Sequence, residues 1–210
     1  MKHNKNHYYS RSPDVNVKIY TISESLRRHL FIFKTITGVF SFKKIDLGTK
    51  VFIEHMFIPS GSTTLLDLGC GYGPIGIVLA YNSPKSTIYL IDINKRAIWC
   101  TRENIKINIP KGKGKTKTFY GSYFEPIKNT DLKFDGIYIN PPLRQGRKSF
   151  LELISHIPSY LKSNGVLQFV IKKKMGALFI LNYFKNTFPD EKIEIICKRS
   201  GYWVFKCFEN

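Results

Sequence analysis

The sequence predicts an α/β fold: a doubly wound, mostly parallel sheet with helices on both faces, preceded by a small N-terminal β element. Three features carry this. From residue 46 onward, short apolar runs alternate with helix-length segments, the pattern of consecutive βαβ units. One run, Thr63 to Leu68, leads directly through a glycine-rich turn into a helix start. The last two strand-like runs are separated only by Lys198-Arg199-Ser200, short enough to make them an antiparallel pair.

The glycine-rich turn organises the chain. It reads Asp67-Leu68-Gly69-Cys70-Gly71-Tyr72-Gly73-Pro74-Ile75-Gly76. Gly69, Gly71 and Gly73 admit positive φ and let the backbone approach a ligand closely. Pro74 suits the first turn of a helix, and the free N–H groups there favour a polar or anionic ligand. Two nucleotide-type cofactors suit the turn. Gly71 to Gly76 satisfies G-x-G-x-x-G, with Asp92 spaced to meet a ribose, which is the nicotinamide oxidoreductase reading. Asp67 to Gly73 satisfies acid-x-G-x-G-x-G, the loop of S-adenosylmethionine-dependent methyltransferases. There Asp67 and the glycine backbone hold the methionine part, and Asp92 again takes the ribose.

A second stretch weighs between them. Phe134 to Ile139 is strand-like and ends in Asn140-Pro141-Pro142-Leu143. Two prolines end any helix or central strand and stiffen the chain past the strand's carboxyl end, where open α/β sheets bind ligands. The Asn140 side-chain oxygen and the Pro141 carbonyl both accept hydrogen bonds. Together they can hold an amino group with its lone pair toward an electrophilic methyl. A rigid turn with a capping Asn explains these residues taken alone; beside the glycine turn, they favour methyl transfer.

The other elements follow in order. Residues 1 to 16 are polar and basic and include His7, Tyr8 and Tyr9; either tyrosine can stack on a base or pin to the domain surface. Val17 to Tyr20 and Leu30 to Ile36 alternate like short strands, with Arg27 and Arg28 expected exposed between them as phosphate contacts. Asp46 to Thr49 opens a helix running to about Phe57. Thr87 to Asp92 is a strand with an acid at its carboxyl end, and a helix follows from Lys95 to Asn108. The alternating Lys/Gly run from Lys111 to Lys117 reads as a flexible surface loop, with a strand from Lys117 to Tyr120. Helices over Phe150–Leu161 and Ala177–Phe188 alternate with strands over Gly165–Ile171, Lys192–Cys197 and Gly201–Phe208. Lys172-Lys173-Lys174 falls at a strand end on the ligand side of the sheet.

Size and composition set limits. The 210 residues suit a real core, and 43% apolar content is ordinary. No apolar run is long enough to span a bilayer, and no secretory leader follows Met1-Lys2-His3-Asn4. The four cysteines, Cys70, Cys100, Cys197 and Cys207, make neither a C-x-x-C pair nor a zinc pattern, so no metal site is expected. They fit a reducing cytoplasm. Lys and Arg outnumber Asp and Glu by 33 to 15, and the net charge of +18 favours a polyanion partner.

The chain resembles the small-domain class I methyltransferases, the group with ribosomal RNA guanine-N2 methyltransferases and their short single-domain relatives. The resemblance rests on Gly38-Val39-Phe40-Ser41, Asp46-Leu47-Gly48-Thr49, Leu66 to Gly76, Asp92-Ile93-Asn94 and Asn140 to Gly146, and continues through Lys174-Met175-Gly176-Ala177 and Gly201-Tyr202. It implies a Rossmann-like sheet of seven strands, the last antiparallel. It implies an N-terminal extension over residues 1–45 and a methyltransferase domain over residues 46–210.

The resemblance also implies S-adenosylmethionine as cofactor, bound by Thr49, Asp67, Gly69, Cys70, Gly71, Gly73, Asp92, Ile93, Ser122 and Asn140. Relatives carry Asp where Ser122 stands; a hydroxyl accepts more weakly there. Asn140, Pro141 and Pro142 form the catalytic turn. Phe40, Leu143, Arg144, Arg147, Lys172 and Lys174 are expected to meet an RNA substrate, with Phe40 stacking on the target base. Guanine N2 of ribosomal RNA is the expected target, with adenine N6 or a tRNA as alternatives. A non-catalytic RNA-binding protein of the same fold is the competing class.

Overall fold

The computed structural model describes residues 16–143 and 146–208; His7, Tyr8, Tyr9 and Arg144 lie outside them. It begins with an antiparallel hairpin of β1 (Ile19–Leu26) and β2 (His29–Ile36). β1 extends past the expected Tyr20 because Thr21 to Leu26 alternates, with Ile22 and Leu26 inward and Thr21, Ser23 and Ser25 outward. The turn residues Arg27 and Arg28 both have positive φ, 47° and 65°. That geometry suits the strand twist but normally calls for Gly or Asn. Arg27 is held by its side chain. Its Nε donates to the Ile53 carbonyl at 2.7 Å, its Nη2 to the Met56 carbonyl, and its backbone N–H to Glu54 Oε1 at 2.9 Å. It therefore clamps the end of α1 (Leu47–His55) and is not the exposed phosphate contact expected. Arg28 is exposed.

The main sheet has seven strands in the order β5-β4-β3-β6-β7-β9-β8. They are β3 (Thr64–Leu68), β4 (Thr87–Asp92), β5 (Lys115–Tyr120), β6 (Phe134–Ile139), β7 (Leu161–Lys172), β8 (Ile193–Arg199) and β9 (Tyr202–Cys207). β3 to β7 are parallel, and β9 runs antiparallel to both β7 and β8. Ser200 and Gly201, at φ 51° and 77°, close the last hairpin. Helices α2 (Pro74–Asn82), α3 (Lys95–Asn108), α4 (Arg147–His156) and α5 (Ala177–Thr187) connect the strands.

Strand alternation builds two cores. Leu65, Ile88, Leu90, Tyr138 and Val204 face the hairpin, α1, α2 and α3. Leu66, Leu68, Ile137, Ile139, Phe169 and Phe205 face α4 and α5. The hairpin belongs to the first core through Phe31 and Phe33. Its β2 edge is capped by two asparagines one turn apart on α3. Asn104 exchanges bonds of 2.6 and 2.9 Å with the Lys34 backbone, and Asn108 bonds of 2.9 and 2.7 Å with the Ile32 backbone. Inside the sheet, buried Gln168 on β7 holds Phe57 by both backbone groups, at 2.7 and 2.8 Å, and Tyr138 Oη donates to the same carbonyl at 2.9 Å. These bonds fix the linker leaving α1, and so the placement of α1 on the sheet.

The Lys/Gly run is more ordered than its composition suggests. Lys115 already lies in β5, and Gly114 N–H donates to the Ala80 carbonyl at 3.0 Å. A Cβ at Gly114 would stand 2.8 Å from the Ser83 carbonyl, so that contact requires glycine. No helix among the described residues is long and apolar enough to cross a membrane.

Candidate active site

A cavity opens at the carboxyl edge of the parallel strands. One wall is the glycine turn, and another the segment from Val39 to Ser41. Asp92 and Ile93 at the end of β4 and Asn140 to Pro142 at the end of β6 complete it. Gly69 and Gly71 have φ of 79° and 59°, and a Cβ on either would meet nothing within 4 Å. Their bare backbone is therefore a cradle whose space a side chain would fill. Gly73 lies deeper, as the N-cap of α2 at φ 92°, against Ile77 and Thr101.

Two carboxylates hold this turn. Asp67 is fully buried, and its Oδ2 accepts the Gly76 amide at 2.8 Å. Its Oδ1 is buried with no hydrogen-bond partner among the described residues. Burial pushes the Asp67 carboxyl up to about 7; the Gly76 amide opposes this and Asp92 adds to it. Asp92 accepts the Gly71 amide at 2.8 Å and the Asn94 amide at 2.7 Å, one on each oxygen. Burial raises it to about 6 against those two bonds. Asp92 lines the cavity, and each of its oxygens, having accepted one amide, has the capacity to accept a second donor. The Cys70 thiol, also on the wall, is pushed well above its ordinary value by burial and by Asp92 and Asp67. It stays protonated and is no nucleophile.

The Asn140 side chain is fixed from behind. Its Nδ2 donates to Thr49 Oγ1 at 2.8 Å and lies 3.5 Å from Asp46 Oδ2. A carboxylate only accepts, so the amide nitrogen must face Asp46 and the amide oxygen the other way. Asp46 in turn caps α1 by accepting the Thr49 N–H at 3.1 Å. The Pro141 carbonyl accepts the Leu143 amide at 2.9 Å and retains one lone pair. The turn thus presents two acceptors.

The rim is held by α3. Asn94 donates from Nδ2 to the Gly38 carbonyl at 2.8 Å, and Arg96 donates to the Thr37 carbonyl at 2.9 Å. This fixes the segment that carries Phe40 onto the cavity wall. Leu143, expected at the substrate, is buried in the α4/α5 core with Phe150 and Phe169. Ser122 is not on the cavity wall; its amide donates to Glu125 Oε2 at 3.1 Å, and its neighbour Tyr123 lines the cavity instead. Arg147 opens α4, and Lys172 and Lys174 are exposed at the end of β7. Lys172 Nζ sits 5.8 Å over the Tyr202 ring, which packs on Gly48 beside Asp46.

Sequence reasoning missed Tyr123 and the role of Asp46. Tyr123 had a signal in its place just past the carboxyl end of β5. Asp46 was legible as a helix cap, but its contact with Asn140 spans 94 residues.

Residues 30–206 match the family described as methyltransferase small domain. The chain is 34% identical over 200 residues to the uncharacterized protein YbxB of Bacillus subtilis, covering 95% of this chain and 96% of that one. It is 30% identical over 197 residues to ribosomal RNA small subunit methyltransferase C of Buchnera aphidicola from Acyrthosiphon pisum, covering 90% of this chain and 54% of the other. The fold matches that of a T. thermophilus 16S rRNA N2 G1207 methyltransferase (RsmC) in complex with AdoMet and guanosine. The TM-score is 0.76 at 17% identity, over 94% of this chain and 52% of that one. The chain thus spans nearly the whole of YbxB and about half the length of the ribosomal RNA methyltransferases. The match sets aside the dinucleotide reading of the glycine turn. The residues present also fit S-adenosylmethionine: an open glycine cradle, a two-oxygen acceptor at Asp92 and an unpartnered buried oxygen at Asp67 behind the turn.

Proposed function

From a chain that belongs to the methyltransferase small-domain family, with S-adenosylmethionine as its cofactor, we propose a methyltransferase acting on an exocyclic amino group of an RNA base, most plainly guanine N2 of ribosomal RNA. The observation that carries the reading is Asn140: it lines the cavity, and its amide nitrogen is taken up by Thr49 and Asp46, which leaves its oxygen as the acceptor. An amine with two N–H donors matches Asn140 Oδ1 and the free lone pair of the Pro141 carbonyl. Held so, its nitrogen lone pair points away from both acceptors and into the cavity.

The cofactor supplies a sulfonium methyl that is reactive without further activation. The chain's own part is positioning. Asp92 receives the ribose hydroxyls, and the Gly69 to Gly71 backbone, with Asp67 bracing it, holds the methionine end. Tyr123 borders the cavity and Phe40 offers a face for the base. The base enters unpaired or flipped from its stack. Arg144, Arg147, Lys172 and Lys174 meet phosphates, in keeping with the +18 charge. The division at residue 45/46 and a cytoplasmic setting belong to the same proposal.

Transfer of a labelled methyl from S-adenosylmethionine to unmodified small-subunit ribosomal RNA, large-subunit RNA and tRNA tests this, with nucleosides identified by mass. Labelled N2-methylguanosine, lost in Asn140→Ala, is expected. Labelled N6-methyladenosine would move the target to adenine. RNA binding without transfer to any RNA or ribosomal particle would favour the non-catalytic reading.

A further inference from the structure

Tyr123 stands on the cavity wall, 38% exposed, and its side chain has no stacking or hydrogen-bond partner among the described residues. Its backbone lies in the left-handed region at φ 45°, a strained setting for a residue with a Cβ, and such strain clusters at ligand sites. The order of the sheet decides what meets this ring. β5, β4, β3 and β6 are successive neighbours, about 5 Å apart. Asp92 ends β4, the glycine turn follows β3, and Asn140 follows β6. With a ribose diol on Asp92, the methyl must point across β3 to reach Asn140. The cofactor carries its sulfonium on C5′ and its base on C1′, at opposite ends of the sugar. The base therefore leaves on the other side of β4. There β5 ends at Tyr120, the partner of Asp92, and Tyr123 follows.

The wall at that end consists of Ile93, Asn94, Ala97 and Tyr123. The Asn94 amide is committed to the Gly38 carbonyl at 2.8 Å and the Arg96 amide at 2.9 Å. The carboxylates of the cavity wall are Asp46 and Asp92, and neither stands beyond the ribose toward β5. Flat aromatic and apolar surface is what this end offers. We propose that Tyr123 binds the purine of S-adenosylmethionine by the face of its ring, with Ile93 beside it, and that no side chain reads the 6-amino group. The site then selects a flat purine and accepts hypoxanthine in place of adenine. The inference rests on the placement of ribose at Asp92 and methyl at Asn140 in the proposed function, and adds what holds the base.

The test is calorimetric titration of the full chain, without RNA, with two probes. One is S-adenosylhomocysteine; the other is S-inosylhomocysteine, which carries an oxo group in place of the 6-amine. Tyr123→Gly removes the ring and relieves the positive φ, and should weaken binding of both probes about tenfold. Tyr123→Phe should bind both as wild type does. Wild type should bind the two probes within about threefold of each other, whereas a site built to bond the amine rejects its loss far more strongly. Urea midpoints near that of wild type establish that the variants are folded. Wild-type affinity in Tyr123→Gly overturns the inference. Tyr123→Phe as weak as Tyr123→Gly also overturns it, because the hydroxyl then does the binding. So does wild-type rejection of S-inosylhomocysteine by tenfold or more. Asp92→Asn separates the two readings. If it loses affinity while Tyr123→Gly keeps it, this inference alone fails; if it binds as wild type does, the placement of the ribose fails. Binding as expected without methyl transfer to any RNA sinks the enzymatic reading alone.

Discussion

Asn140 donates its side-chain amide to Thr49 Oγ1 at 2.8 Å, with Asp46 Oδ2 at 3.5 Å behind it. One helix start therefore sets which end of the asparagine faces the cavity. Asn140→Ala should lower kcat at least a hundredfold with little change in cofactor affinity. Thr49→Val keeps the shape but removes the hydroxyl, and should lower kcat about tenfold, about 1.4 kcal/mol in the barrier, while Thr49→Ser stays near wild type. Asn140→Asp alone brings two carboxylates together and should be nearly inactive. Adding Asp46→Asn restores a donor–acceptor pair and should recover activity over that single variant. Steady-state methyl transfer by the five variants is the check; no recovery in the exchanged pair would remove Asp46 from the arrangement.

The two raised carboxyls give the cofactor a pH dependence. Burial holds Asp92 at about 6 and Asp67 at about 7, both above the unfolded carboxyl range. Below about pH 4 both states carry these protons, and the stability associated with them is fully present. As pH rises toward 7 the unfolded chain has released them while the folded chain releases them late, so that stability is lost over this window. In the proposed binding mode, ribose hydroxyls donate to Asp92 and favour its ionised form. Cofactor affinity should therefore rise about tenfold between pH 5 and pH 7 and level off above. Calorimetric titration at four pH values checks this, and Asp92→Asn should bind weakly with a flatter profile.

Gly76 is as constrained as the glycines of the turn, although it lies in regular helix. A Cβ there would stand 2.4 Å from Leu90 Cδ2 and 3.1 Å from Asp67 Oδ2. Gly76→Ala should cost about 2 kcal/mol in urea unfolding and weaken cofactor binding, because α2 must lift away from β4.

The hairpin turn separates two neighbouring arginines. Arg28→Gly relieves a positive φ at an exposed position and should stabilise the protein by about 1 kcal/mol. Arg27→Ala frees the Ile53 and Met56 carbonyls and should destabilise it by about 2 kcal/mol. Opposite shifts of the urea midpoint are expected; an Arg27→Ala midpoint at or above wild type would mean that the clamp contributes nothing.

Much of this architecture was legible because it is written locally. The glycine turn, Asp92 at its strand end and the Asn-Pro-Pro turn each occupy a few consecutive residues, and an α/β sheet brings strand ends to one edge. What stayed hidden depends on distant partners. Thr21 to Ser25 looked too polar for a strand until its inward Ile22 and Leu26 met the core. Arg27 looked free because its acceptors lie on α1. Leu143 looked available to a base, yet the turn after Pro142 sends its side chain into the α4/α5 core. Ser122 and Tyr123 are neighbours at a strand end, and only the backbone, with Tyr123 at φ 45°, decides which of them lines the cavity.

The place of β9 governs when this molecule can become whole. The strand filling the gap between β7 and β8 is, of the seven in this sheet, the last to be synthesised. Until Tyr202 to Cys207 have emerged, β7 has one unpaired edge and its 12-residue length exposes Val166 to Ile171, an aggregation-prone run. Translation stalled before that point yields a chain whose glycine turn and Asn140 turn already exist but whose sheet remains open. Such a chain keeps the β7 edge open until the last hairpin zips shut.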